Sequence, residues 1–142
     1  MTTSDSQPLD DVVILLVRAA GSAMRLANAA LEPYGLRARH YAALQLADSE
    51  RGIPQRQIGA LLGLDPSAVV ALVDDLERRS LVRRRADPED RRTRLVRLTS
   101  TGRRLLAQAT IAARQVQEQT VAALPDADRA RFVRMLQAIV LP

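Results

Sequence analysis

Apolar residues recur every three or four positions along most of this 142-residue chain, a period that helices satisfy and strands do not. Leu9, Val12, Val13, Leu16, Ala19, Ala20, Ala23, Leu26, Ala27 and Ala30 form one stripe, which predicts a long amphipathic helix from Leu9 to Leu31. Pro8 stands near its start and Pro33 beyond its end. A second helix is expected from Arg37 to Ala47 around Tyr41, Leu44 and Leu46. A third runs from Gln55 to Leu62 and would bury Ile58, Leu61 and Leu62, with Pro54 at its first turn and Gly63 as its stop. Leu64-Asp65-Pro66-Ser67 is an N-cap signature for a fourth, which extends to about Arg79 with Val69, Leu72, Val73 and Leu76 on one face. Thr99 caps a fifth from Ser100 to Ala123, and Leu124-Pro125-Asp126 separates it from a sixth ending at Val140.

The period changes once. Leu81 to Arg85 and Thr93 to Thr99 are short, and the second alternates, with Val96 and Leu98 on one face. Asp87-Pro88 between them is type I turn chemistry, so this stretch reads as a β-hairpin with an arginine-laden tip.

Aromatic residues are only 2% of the chain and Trp is absent, so the core must be built from Leu, Val and the 23 alanines. Met24, Met135 and Phe132 read as core or interface filler. The lack of cysteine excludes disulfides, thiol catalysis and Cys-ligated zinc. With His40 as the single histidine, no metal site or cofactor is expected. There is no phosphate-cradling glycine loop and no nucleophile paired with a base, so the chain does not read as an enzyme. Arg18 and Arg25 interrupt the longest apolar run, and no membrane span is expected. The amino-terminal stretch lacks the basic residues of a targeting signal, and a cytoplasmic location is expected.

Every one of the 21 basic residues is Arg. Between Arg78 and Arg104 eleven of them face three acids, Asp87, Glu89 and Asp90, a net +8 over 27 residues. The other ten Arg stand against thirteen acids, leaving −3. GC-rich codon usage explains Arg in place of Lys but not this clustering. A concentrated positive segment is the electrostatic footprint of a nucleic-acid partner; an acidic protein is the competing occupant.

Helix, short helix, turn, capped helix and basic hairpin is the order of a winged helix-turn-helix. The run from Ile58 to Val82, then Arg84, Asp87-Pro-Glu-Asp-Arg-Arg92 and Leu98-Thr-Ser-Thr-Gly102, resembles the MarR family of bacterial transcriptional regulators. The resemblance implies a mainly α fold with a small β-hairpin, one domain over 1–142. Residues 36–102 would form the winged helix-turn-helix, and 8–32 and 103–142 the dimerisation helices. It implies a nucleoid-associated homodimer that reads a pseudo-palindromic operator in double-stranded DNA, as a repressor, and is released by a small aromatic or phenolic ligand. DNA contacts would come from Gln55, Arg56, Ser67, Ala68, Val70, Ala71, Arg78, Arg84, Arg91, Arg92 and Arg94. Asp90 would hold the wing by pairing with Arg92, and His40, Tyr41 and Arg37 would meet the ligand between the first, second and fifth helices. Leu9, Val12, Val13, Leu16, Phe132, Met135, Leu136 and Ile139 form stripes too large for one chain to bury, and are expected at the dimer interface.

Three features depart from the family pattern. Val70 and Ala71 stand where polar or basic base-readers are usual, Asp75 replaces a basic residue, and Ser80 replaces a helix-ending Gly. Val and Ala can contact only thymine methyls, so an architectural or low-specificity DNA-binding protein is the alternative reading.

Overall fold

The computed structural model describes residues 11–140. Six helices and a three-stranded sheet follow in the order α1 (Val12–Leu31), a 3-10 turn (Glu32–Tyr34), α2 (Ala38–Ala47), β1 (Ile53–Pro54), α3 (Gln55–Leu62), α4 (Pro66–Arg78), β2 (Val82–Ala86), β3 (Arg94–Leu98), α5 (Ser100–Thr120) and α6 (Asp126–Val140). This is the mainly α, winged helix-turn-helix architecture expected. Leu9 lies outside the described residues.

Local chemistry sets each boundary. Asp11 caps α1 by accepting from the Ile14 N–H at 3.0 Å, and Asp65 caps α4 by accepting from the Ala68 N–H at 2.9 Å. Pro66 opens α4 without cost, because a first-turn residue has no intrahelical partner for its nitrogen. The first turn of α2 is completed by side chains: Asn28 of α1 accepts from the Ala38 N–H at 2.9 Å, and His40 accepts from the Arg37 N–H. Gly63 ends α3 in a left-handed conformation, and the chain bends by 115° into α4, within the range of a helix-turn-helix.

Three expectations are corrected. Pro54 is not a helical residue but pairs with Leu95 in the edge strand β1, beside the pair Ile53–Val96. Proline is tolerated at an edge because no ladder donor is required of it there. Leu61 is not in the core; it is 37% exposed, since α3 buries only Ile58 and Gly59. α5 ends at Thr120 rather than Ala123, in a turn that runs into α6.

The sheet order is β1-β3-β2, antiparallel throughout, with Val82 opposite Leu98 and Ala86 opposite Arg94. Its inner face closes a core of aliphatic side chains in which Leu31, Leu36, Leu44, Ile58, Val73, Leu76, Val82 and Val96 are fully buried. The first turn of α5 lies directly against the start of β2. A Cβ on Gly102 would meet the Leu81 carbonyl oxygen at 1.9 Å, so only glycine fits.

The long helices sit differently. α1 buries only Leu31 and α6 buries nothing, and Val12, Val13, Val17, Met135 and Ile139 are each more than half exposed. Val12–Tyr34 is long and apolar enough to cross a bilayer by length and composition, with mean hydropathy 1.4. A helix that packs within a soluble protein meets the same measure. The same stripe packs along α5 and has its cap and its Asn28 contact to α2 in place.

Candidate nucleic-acid interface

Helical geometry divides α4 into two faces. Val69, Leu72, Val73 and Leu76 enter the core, and Ser67, Val70, Ala71, Asp74 and Arg78 form an exposed strip. Val70 is 44% exposed, a sizeable apolar surface left to water. Ala68, expected among the groove-facing residues, also lines a hollow behind the helix with Met24, Asn28 and His40.

Asp75 lies between the strip and the α2 side of the helix. Its carboxylate stands 3.3 Å from His40 Nε2, 3.1 Å from Arg78 and 3.5 Å from Arg79. Its charge is therefore matched from within the protein.

Arg84 and Gln55, both placed among the DNA contacts from sequence, face each other inside the domain. The Arg84 guanidinium donates to Gln55 Oε1 at 2.7 Å, Glu77 Oε2 at 2.7 Å and Asp74 Oδ1 at 2.6 Å, and its backbone N–H donates to Glu77 Oε1 at 2.9 Å. One side chain of β2 thus ties together α3, α4 and the wing. Those bonds hold the Glu77 carboxyl below the usual carboxylate range, the backbone N–H contributing most.

The wing is anchored from outside the hairpin by Arg51, which local sequence does not single out. Asp87 is 7% exposed and accepts from the Arg51 guanidinium at 3.3 Å and from the Glu89 N–H at 3.0 Å. Arg51, in the α2–β1 connector, also pairs with Glu89. Asp90 does not bind the Arg92 guanidinium as expected. It accepts from the Arg92 backbone N–H at 3.1 Å and from the Thr93 hydroxyl at 2.9 Å, an Asx-type closure of the tip. The Arg91, Arg92 and Arg94 side chains are exposed, as is Arg56 on α3, and none of the four forms an ion pair among the described residues.

The three residues expected at a ligand do not converge. Tyr41 faces α5, its hydroxyl 3.4 Å from Thr110 and bonded by Gln45. His40 and Arg37 line hollows of about 320 and 520 Å³ on the other side, between α1, α2 and α4 rather than against α5. Arg39 joins the first and Arg79 the second. Burial pulls the His40 pKa below its ordinary value, against the opposing pull of Asp75.

Residues 34–93 match the family model described as MarR family. A MarR-family transcriptional regulator from Rhodococcus sp. RHA1 superposes with a TM-score of 0.87 at 40% identity, over 96% of this chain and 99% of that one. The chain belongs to the MarR family. Two further MarR-fold relatives carry ligands. CouR from Rhodococcus jostii RHA1, solved with p-coumaroyl-CoA, is 42% identical with a TM-score of 0.87, over 96% of this chain and 97% of that one. A CouR repressor solved on a 23-mer DNA duplex is 27% identical with a TM-score of 0.83, over 98% and 99%. The chain spans between 53% and 64% of the lengths of the curated transcriptional regulators it matches. MarR-family membership makes it a relative of transcriptional regulators, a non-enzymatic class.

Proposed function

We propose that this chain is a homodimeric, sequence-specific DNA-binding repressor that acts in the cytoplasm on the nucleoid. The observation that carries this is the pairing of an exposed strip on α4, built from Ser67, Val70, Ala71 and Arg78, with a wing whose Arg91, Arg92 and Arg94 are exposed and have no acidic partner among the described residues. A helix of this kind fits a major groove about 12 Å wide, and arginines at a hairpin tip suit the negative potential of an adjacent narrow minor groove. The 23-mer duplex bound by the CouR repressor supports the same use of the fold.

Residues 36–102 form the reading unit on this view, and 8–32 with 103–142 form the subunit interface. The exposed apolar residues of α1 and α6 need a cover, and a second copy places two half-sites about one helical turn apart. The hollows beside His40 and Arg37 serve as the ligand site. Arg37, Arg39 and Arg79 give them a cationic rim suited to a carboxylate or phosphate. The p-coumaroyl-CoA carried by the 42%-identical CouR makes a phenolic acid or its acyl-CoA thioester the class to test.

Selection of bound fragments from the source genome, followed by sequencing, tests the function. A pseudo-palindromic consensus is the expected result. The Arg91→Ala/Arg92→Ala variant should then weaken operator binding by roughly 1–3 kcal/mol for each specific DNA interaction removed. It should also flatten the log affinity–log salt slope by about 0.9 for each phosphate released. Wild-type affinity and slope in that variant would remove the wing from the interface. The apolar face at Val70 and Ala71 favours a second reading, low-specificity DNA binding. A preference over random DNA of less than about tenfold would select it, since specific regulators show ~10³–10⁷.

A further inference from the structure

β2 carries three consecutive arginines, and the strand sends them to opposite sides of the sheet. Arg84 points inward to Gln55, Asp74 and Glu77. Arg83 and Arg85 point outward, and the register sets Arg83 directly opposite Arg97 of β3 on that same outer face. Among the described residues none of Arg83, Arg85 and Arg97 forms an ion pair. Arg85 and Arg97 are shared by two adjoining hollows of about 360 and 300 Å³: one is floored by Leu95 and edged by Asp87 and Glu89, which Arg51 pairs, and the other, which Arg83 also lines, is bounded by Thr99 and Ser100 and has no acid. Like charges directly opposed across an antiparallel pair destabilise it. The fold supplies acids to the inward arginine and leaves the three outward ones without an ion-pair partner.

We infer that the outer wing face is a second phosphate-binding surface, occupied by the DNA backbone that flanks the operator. The inference rests on the reading of α4 and the wing tip as the operator contact. Charge complementarity names an anion, and continuity names which one: the same strands lead to Arg91 and Arg92 at the tip, and the acids between them are taken up by Arg51, by the Arg92 N–H and by Thr93. With α4 in a major groove on the inner side and the tip in the neighbouring minor groove, the outer face is turned from the operator centre toward the duplex beyond it. Contacts of this kind carry no sequence information and show up as affinity and salt dependence.

The test compares a 23-base-pair operator core, the length solved with CouR, with the same core extended at each end by about ten base pairs of scrambled sequence, one helical turn. The full chain should bind the extended duplex more tightly by at least roughly fivefold. Its salt slope should steepen by about 0.9 for each added phosphate contact. The Arg83→Gln/Arg85→Gln/Arg97→Gln variant should bind the core within about twofold of wild type and lose the gain from extension, while the corresponding triple Lys variant keeps it. Should the triple Gln chain fail to fold, Arg83→Gln alone carries the comparison, because it removes the opposed pair. Equal affinity and slope of wild type on the two lengths overturns the inference, as does a Gln variant that keeps the gain or one that weakens on core and extended duplex alike. Failure of wild type to bind either duplex overturns the operator reading and this inference with it, whereas wild-type binding to the core without a length effect overturns this inference alone.

Discussion

Arg84 is bound to Glu77 twice, once through its backbone N–H at 2.9 Å and once through its guanidinium at 2.7 Å. The two bonds take both carboxylate oxygens of Glu77, so the angle between the recognition helix and the first wing strand is fixed by one side chain from each. Since the Arg84 side chain is only 21% exposed, its truncation strips the guanidinium bonds from Gln55, Asp74 and Glu77 and leaves Glu77 only the backbone N–H. Arg84→Ala should lower unfolding stability by about 1–3 kcal/mol. It should weaken operator binding while leaving the salt slope unchanged, because Arg84 neutralises no phosphate. Urea titration with a salt series on the same variant checks both, and a slope shallower by about 0.9 would instead make Arg84 a phosphate ligand.

His40 gives the chain a pH dependence whose sign follows from its surroundings. Nδ1 accepts from the Arg37 N–H, so the proton of the neutral ring sits at Nε2 facing Asp75. Burial holds the pKa below 6.5; Arg79 and Arg37 push the same way, and Asp75 pushes back. The unfolded chain therefore takes up its proton near pH 6.5 and the folded chain only at lower pH. Between the two the unfolded state holds more protons, so this contribution to stability is complete above about pH 6.5 and is lost as pH falls through the folded value. Urea midpoints from about pH 8 down to about pH 5 should fall for wild type and stay flatter for His40→Gln.

Ser80 takes the left-handed conformation, φ 59°, that ends α4, and Leu81 N–H closes the turn on the Leu76 carbonyl at 2.9 Å. A side chain in that region is strained, and glycine is not. Ser80→Gly should raise stability by a few tenths to about 1 kcal/mol, read as a higher melting temperature with unchanged DNA affinity.

Ile139 is 63% exposed on the single chain, so a carboxylate there costs a lone protomer little. Ile139→Asp or Leu136→Asp should give a monomer, or an insoluble chain, that loses operator binding. Sedimentation of a folded wild-type monomer at micromolar concentration would contradict the dimer.

The helical framework is legible in the sequence because burial repeats with the helix period: Val69, Leu72, Val73 and Leu76 share one face by spacing and one core in the fold. Caps are legible because Asp65 and Thr99 act within three residues of their targets. The charge network is not. Arg83, Arg84 and Arg85 are the same letter three times, and only strand parity, set by buried Val82, separates the inward one from its neighbours. Asp75 and Arg51 find partners on distant segments, His40 and Asp87, which no local spacing announces. Two-residue β1 is too short to show a period and forms only because β3 offers it an edge.

The exposure of Val70 and Ala71 in the middle of the outer strip of α4 has an evolutionary consequence. Ser67 is bonded to the Asp65 cap at 2.6 Å, but Val70 and Ala71 hold nothing in place, so the vocabulary of this regulator can be rewritten at two codons without retuning its scaffold. Lineages that duplicate such a gene can diverge in target choice by substitution there alone.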